Sequence, residues 1–465
     1  MGRGAKINGT PKTTLALVAA TLIAYGACMA LNWPGHFSPD GLWQLGQGRA
    51  GVYNSWHPPI MAWLLGLAVR QSPDAAAFVA IDAAVFFCAL LGFATLRPAP
   101  RPVAIIVLLA IAATPLVIVY QGAVLKDVLF ANTAMAGFAC LAWIDRLSDR
   151  PALRRLVIAK ACLLFSLAAL TRQTGFIVPL CGAVALVVIL RARGARWSRA
   201  LGAGALALVA MAVIVAGASL FLVSHGDGKP ENHHQMQRLQ AWDVAGALHR
   251  DPHLALPATH ATAPDLEAYL RDDAAPRWKA ATSDNIANPP SFEPLMSPRA
   301  DGVGRDWARL IVKQPSLYLR VRTEVFLATL TTPKADSCPM IIIGVDSGNP
   351  EVLEMSGLKA RRSDRDEIAE DYASNFYNTP VFSHLAWGAV MLIGMALALS
   401  DLRRGARRAD LIAVVAMGVA ALLYVAAFFV ISGACDYRYM YLVDVAAMAM
   451  LIHRAALPRR ESIRG

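Results

Sequence analysis

About ten stretches of this chain are apolar for close to the ~20 residues that a helix needs to cross a hydrocarbon layer. They cover 13–31, 75–96, 103–120, 128–144, 153–170, 175–190, 201–223, 381–400, 411–431 and 439–452. Lipid offers no partners to backbone N–H and C=O groups, so such stretches must satisfy themselves as helices. Of the 465 residues, 56% are hydrophobic and 17% charged, against about 45–50% and 25% in soluble domains. The sequence therefore predicts an all-α polytopic membrane protein. One apolar segment, 58–69, is too short to cross, and tryptophans flank it. It reads as a helix lying in the membrane interface.

The net charge of +11 does not mark a nucleic-acid binder, because the cations are not gathered on one domain. They recur in alternate connections: Arg3, Lys6 and Lys12; Arg97 and Arg101; Arg146, Arg150, Arg154 and Arg155; Arg191, Arg193, Arg196 and Arg199; Arg403, Arg404, Arg407 and Arg408; Arg454, Arg459, Arg460 and Arg464. The positive-inside bias puts these connections, and both termini, in the cytoplasm of a bacterial-type inner membrane. The alternation works only if 58–69 does not span.

This topology predicts three regions. Residues 1–224 form a transmembrane module whose first outer loop, 33–74, carries the chemistry. Residues 225–379 form a long polar outer segment, and 380–465 the last three helices. Within the long segment, residues 305–330 alternate charged and apolar positions at helical spacing and predict an amphipathic helix returning to the membrane. Six histidines there (His225, His233, His234, His249, His253, His260) match no metal-ligand spacing. Most of the seven cysteines lie in apolar stretches without CxxC spacing and read as packing residues; a Cys338–Cys435 bridge outside the membrane is left open.

The outer face is poor in cations but holds four pieces with ions at the membrane boundary. These are "SPDGLWQLGQGRAGVYNSWHPP" (Asp40, Trp56, His57), "YQGAVLKDVLF" (Lys126, Asp127), "LTRQTGF" (Arg172) and "SGACDYRYMY" (Tyr437, Arg438). Charges placed there need partners or a function.

With "SPDGLW" followed by "WHPPIMAWLLG", the chain resembles the GT-C superfamily of integral membrane glycosyltransferases, such as the aminoarabinose transferases and protein O-mannosyltransferases. "VLKDVLF", "DYRYMYLVD" and "DWARLIVKQPSLYLRVR" resemble segments of bacterial relatives. The resemblance implies a polyprenyl-phosphate-linked sugar donor, a glycan, lipid or protein acceptor, and a catalytic acid in the first outer loop. The chain departs from the pattern at Gly41, where many members carry a second acid after the first.

The residues suit that chemistry. Transfer to a hydroxyl needs a base, for which Asp40 is the candidate, and a leaving phosphate needs cations, for which Lys126, Arg172 and Arg438 are the candidates. Asp127 would orient Lys126 or help a divalent cation, should one bind. His57, Trp56 and Tyr437 complete the substrate-binding set. Each has a plainer rival: Asp40 as a helix N-cap, His57 as a turn residue, the aromatic rings as an interfacial belt and the arginines as snorkelling anchors. A transporter or flippase is the alternative, with Asp82 and Asp444 as intramembrane proton-relay acids.

Overall fold

The computed structural model describes residues 12–54, 57–226, 232–281, 301–346, 348–406 and 408–458, without the side chains of 232–235. Trp56 lies outside the described residues.

Each of the apolar stretches is helical. The N-terminal part contains α1 (Lys12–Asn32), α2 (Pro39–Ala50), α3 (Ile60–Val69), α4 (Ala76–Ala94), α5 (Val103–Ala112), α6 (Pro115–Tyr120), α7 (Lys126–Ala142), α8 (Pro151–Thr171), α9 (Ile177–Ala192) and α10 (Trp197–Val223). The middle contains α11 (Asn232–Arg250), α12 (Pro257–Thr262), α13 (Pro264–Tyr269), α14 (Ala275–Arg277), α15 (Asp301–Lys313), α16 (Pro315–Leu330), α17 (Pro350–Ser356) and α18 (Asp364–Ser374). The chain closes with α19 (His384–Arg403), α20 (Ala409–Ile431) and α21 (Tyr441–Ala456). Among the described residues, five helices are long and apolar enough to cross a membrane: α1, α4, α10, α19 and α20. The remaining apolar stretches form shorter or more charged helices, so the expectation of about ten equal spans is too uniform.

Two departures trace to proline. The stretch 103–120 is not one helix: Pro115 cannot donate a backbone N–H, Thr114 is extended, and α6 starts afresh with proline in its first turn. The expected single amphipathic helix over 305–330 is likewise two, α15 and α16, divided at Gln314 before Pro315.

The outermost helices turn apolar side chains outward. Leu206 is 70% exposed and Leu220 73% exposed on α10, as expected of a surface whose solvent is lipid. At the centre, α7 is buried on nearly every face and packs against α4, α8, α20 and α21. The middle segment has its own apolar core of Trp242, Trp278, Leu248, Val303, Leu310 and Val321.

Ion pairs occupy two opposite ends of the bundle. At one end Asp410 at the start of α20 binds Arg97 (2.6 Å) and His453 (2.9 Å), and Asp401 binds Arg454 (2.7 Å). At the other end Asp40, Asp127, Arg172 and Arg438 meet. Helix α21 separates the sets, with His453 in its last turn and Arg438 just before its first. Arg97, Arg408 and Arg454, from three of the cation clusters, thus share the end opposite Arg438.

Candidate functional site

A two-residue parallel pairing builds the site. β1 (His36–Phe37) pairs with β2 (Ala123–Val124), in the register His36 to Ala123 and Phe37 to Val124. Both strands run straight into helices, so the first turns of α2 and α7 emerge side by side. That register brings the first outer loop, with Asp40, against Lys126 and Asp127.

The N-cap of α2 is Ser38, whose hydroxyl accepts the Gly41 N–H at 3.1 Å, with Pro39 in the first turn. Asp40 therefore does not cap its helix; its carboxylate is left for other partners. Helix α2 crosses α3 at Gly48 and Gly66, where a Cβ on Gly48 would lie 2.3 Å from the Ala62 carbonyl oxygen. Only glycine permits that approach, which fixes the helix that carries Asp40.

Arg438 is the hub. Its Nη2 donates to Asp40 Oδ2 at 2.8 Å, its Nε lies 2.7 Å from Asp436 Oδ2, and Asp127 Oδ2 is 3.9 Å away. Asp436 also accepts the backbone N–H of Arg438 at 3.2 Å as the N-cap of the short 3₁₀ turn Tyr437–Met440. Arg172, the residue closing α8, pairs with Asp127, and both are buried. The Arg172 guanidinium lies 5.3 Å from the Phe428 ring and 5.7 Å from Tyr439, and Arg438 lies 5.8 Å from Tyr439 on the same loop. Tyr424 of α20 stands beside Arg172 and Asp127.

Lys126 does not pair with the adjacent Asp127. Its ammonium donates to His57 Nδ1 at 2.7 Å, which leaves the His57 Nε2–H facing Asp40 Oδ1 at 3.5 Å. Burial, then the Lys126 charge, pushes the His57 pKa down, so the ring stays neutral. Asp40 is affected differently. Burial works against its ionised form, but Arg438, then His57 and Lys126, outweigh it and hold the carboxyl well below the usual range. Burial, with Asp127 also contributing, pushes the Asp436 carboxyl up to about 6, against the pull of Arg438.

The structure therefore brings Asp40, His57, Lys126, Asp127, Arg172 and Arg438 into one connected cluster. Tyr437 is not part of it. Its ring points into the bundle, stacked on His384 at 4.0 Å and edge-on to Phe382 at 5.3 Å. The backbone turn that presents Arg438 sends the preceding side chain the other way. Asp127, expected to orient Lys126, is committed to Arg172 instead. Asp436 and Tyr424 were missing from the expected set; "CDYRYMY" already places Asp436 two residues before Arg438, whereas Tyr424 is apolar-run sequence with no local signal.

A disulfide, Cys338–Cys435, fastens the loop bearing Asp436 and Arg438. The Tyr437 N–H also donates to the Pro339 carbonyl at 3.1 Å. Thiol labelling of the denatured chain is expected to find the five free cysteines (Cys28, Cys88, Cys140, Cys162, Cys181) before reduction and all seven after it. Labelling of seven without reduction would contradict the bridge.

Among the described residues, no group of three or more His, Cys, Asp or Glu side chains is arranged to hold a metal ion. Asp40, Asp127 and Asp436 are each engaged by an arginine. The two deeper acids are also partnered: Asp444 with His384 at 2.9 Å, and Asp82 with Asn132 at 3.0 Å.

Fold and cluster together define a polytopic α-helical membrane protein with a buried ion cluster at one end of its bundle. No protein-family model matches the chain, and no curated protein does. Among solved structures it is similar to the archaeal oligosaccharyltransferase AglB from Archaeoglobus fulgidus, in complex with an inhibitory peptide and a dolichol-phosphate. The identity is 12% and the TM-score 0.42, over 94% of this chain and 50% of that one. The chain spans about half the length of that protein.

Proposed function

We propose that this protein is a GT-C-type glycosyltransferase that moves a sugar from a polyprenyl-phosphate carrier to an acceptor on the non-cytoplasmic face of a cell-envelope membrane. The observation that carries the reading is the convergence of Lys126, Arg172 and Arg438 with one partly exposed carboxylate, Asp40, at the ends of apolar helices. An anion whose lipid tail lies in the bilayer would present its phosphate at that depth. The cluster sits at the end opposite the arginine-rich connections, which fits an outer location. The Cys338–Cys435 bridge fits an oxidising compartment.

In this reading Arg438 and Lys126 bind the phosphate, and Asp40 takes the acceptor proton. A carboxylate clamped by Arg438 is a weak base. When phosphate takes over Arg438, the charge that depresses Asp40 is shared with the ligand, and Asp40 becomes more basic as the donor arrives. His57 keeps Asp40 oriented through its Nε2–H. Asp127 and Arg172 hold the floor of the site as a buried pair. The transporter alternative is not favoured: Asp82 connects through Asn132 and Gln121 to the Tyr441 hydroxyl, Asp444 pairs with His384, and among the described residues no hydrogen bond links the two sets into a relay.

The test is lipid binding in nanodiscs followed by native mass spectrometry. The wild type is expected to retain a polyprenyl phosphate in preference to the matching polyprenol. Replacing Arg438 with Lys should weaken that preference, since lysine lacks the planar fork. Equal retention of alcohol and phosphate by the wild type would defeat the reading.

A further inference from the structure

The cluster is electrically closed without a ligand. Three carboxylates, Asp40, Asp127 and Asp436, face three cations, Lys126, Arg172 and Arg438, and His57 is neutral. Adding a phosphodiester would leave one uncompensated negative charge in a largely buried site, which is costly. The edge of Arg438 that would grip a phosphate bidentately is its Nε–Nη2 edge. That edge is faced by carboxylates from two different elements, Asp40 hydrogen-bonded to Nη2 and Asp436 at ion-pair distance, 2.7 Å, from Nε, whose hydrogen bond is left unmade.

The two displaced carboxylates are not equivalent. Asp40 has His57 Nε2 at 3.5 Å and the Lys126 charge beside it, so it stays ionised on leaving Arg438. Asp436 has no such second cation among the described residues. The groups facing it are Arg438 on its own turn, Asp127 of α7, Asp40 of α2 and the Tyr120 phenol of α6. Without Arg438 it would face like charges.

We propose that a phosphate anion displaces Asp436 from Arg438 and that Asp436 takes up one proton from solvent as it leaves, so anion binding at this site is proton-coupled. The proton is held on Oδ2, while Oδ1 keeps the Arg438 N–H and so the shape of the turn. The charge balance then closes again, with one negative charge gained and one lost. The elevated pKa of Asp436 agrees with this role. The inference rests on the phosphate-binding reading above and adds its proton linkage.

The experiment uses full-length protein in nanodiscs and dibutyl phosphate, a phosphodiester that carries one charge throughout the range tested. Calorimetry in two buffers of different ionisation enthalpy is expected to show uptake of close to one proton at neutral pH. Affinity should fall as pH rises above the Asp436 range, by up to about tenfold per pH unit between about pH 6 and pH 7, below the range of Lys126, whose pKa burial pushes down to about 8. Asp436→Asn keeps the capping oxygen but cannot ionise. It should bind without proton uptake between about pH 6 and pH 7, with a profile that is flat over that range and near the wild type's low-pH affinity. Binding by the wild type without proton uptake overturns this inference alone, as does a slope between about pH 6 and pH 7 that survives in Asp436→Asn. Failure of the wild type to bind dibutyl phosphate at any pH overturns the phosphate reading and this inference with it.

Discussion

Asp40→Asn protein is expected to fold normally and to lose about 10²–10⁴-fold in transfer rate, the usual cost of removing a positioned general base. Ser38 caps α2, so the substitution removes no capping bond. The Asp40 side chain is 34% exposed, against 2% for Asp127 and 13% for Asp436. It is therefore the carboxylate of the three that an acceptor hydroxyl can reach. An asparagine oxygen can still accept from Arg438 Nη2, which keeps the loop in place, but it cannot accept a proton from the acceptor. Turnover of a polyprenyl-phosphate-linked sugar measures the effect, with a thermal melt as the check on folding. A variant that melts like the wild type and turns over at a near wild-type rate would leave Asp40 as an orienting anion for Arg438 and nothing more.

What the sequence makes legible here is whatever repeats locally. Apolar runs mark each of the five long apolar helices because lipid imposes one rule on all of them, whereas the 19-residue α11, a polar helix, carries no such run. Cation clusters sort the connections into two ends because each connection carries the signal independently. Pairings across the fold have no such signature. Lys126 and Asp127 are neighbours in sequence and look like a pair, yet the helical turn sends one to His57 and the other to Arg172. Tyr437 adjoins Arg438 but packs inward on His384. Asp40 and Arg438 lie 398 residues apart and meet because β1 registers with β2 and the 3₁₀ turn aims the guanidinium at α2. The Cys338–Cys435 pairing depends on the same tertiary proximity. The sequence could supply the residue types at one face, whereas the partners follow from packing.

Replacing Arg322 with Ala is expected to destabilise the protein by about 3–5 kcal/mol, the usual cost of stranding one member of a buried ion pair. Arg322 of α16 is fully buried, as is its partner Asp243 of α11. Its Nη1 donates to Asp243 Oδ1 at 2.9 Å and to the Ser432 carbonyl at 2.6 Å, and its Nε donates to the Phe429 carbonyl at 2.9 Å. Trp307 Nε1 donates to the second oxygen of Asp243 at 2.9 Å. One guanidinium thus joins the core of the middle segment to the carbonyl end of α20, where helix carbonyls lack intrahelical partners. Four residues beyond Ser432 comes Asp436, and then Arg438. Removing the guanidinium strands the Asp243 charge and unties this loop, so polyprenyl phosphate retention should fall along with the melting temperature. The double variant Arg322→Met with Asp243→Leu removes both charges and keeps the bulk. It should recover much of the lost stability, because no buried ion is left unpaired. Its retention of polyprenyl phosphate should stay low, since the Phe429 and Ser432 carbonyls still lack their donor. A single Ala variant that melts at the wild-type temperature would mean that water reaches Asp243 and that the two parts are not coupled through this pair.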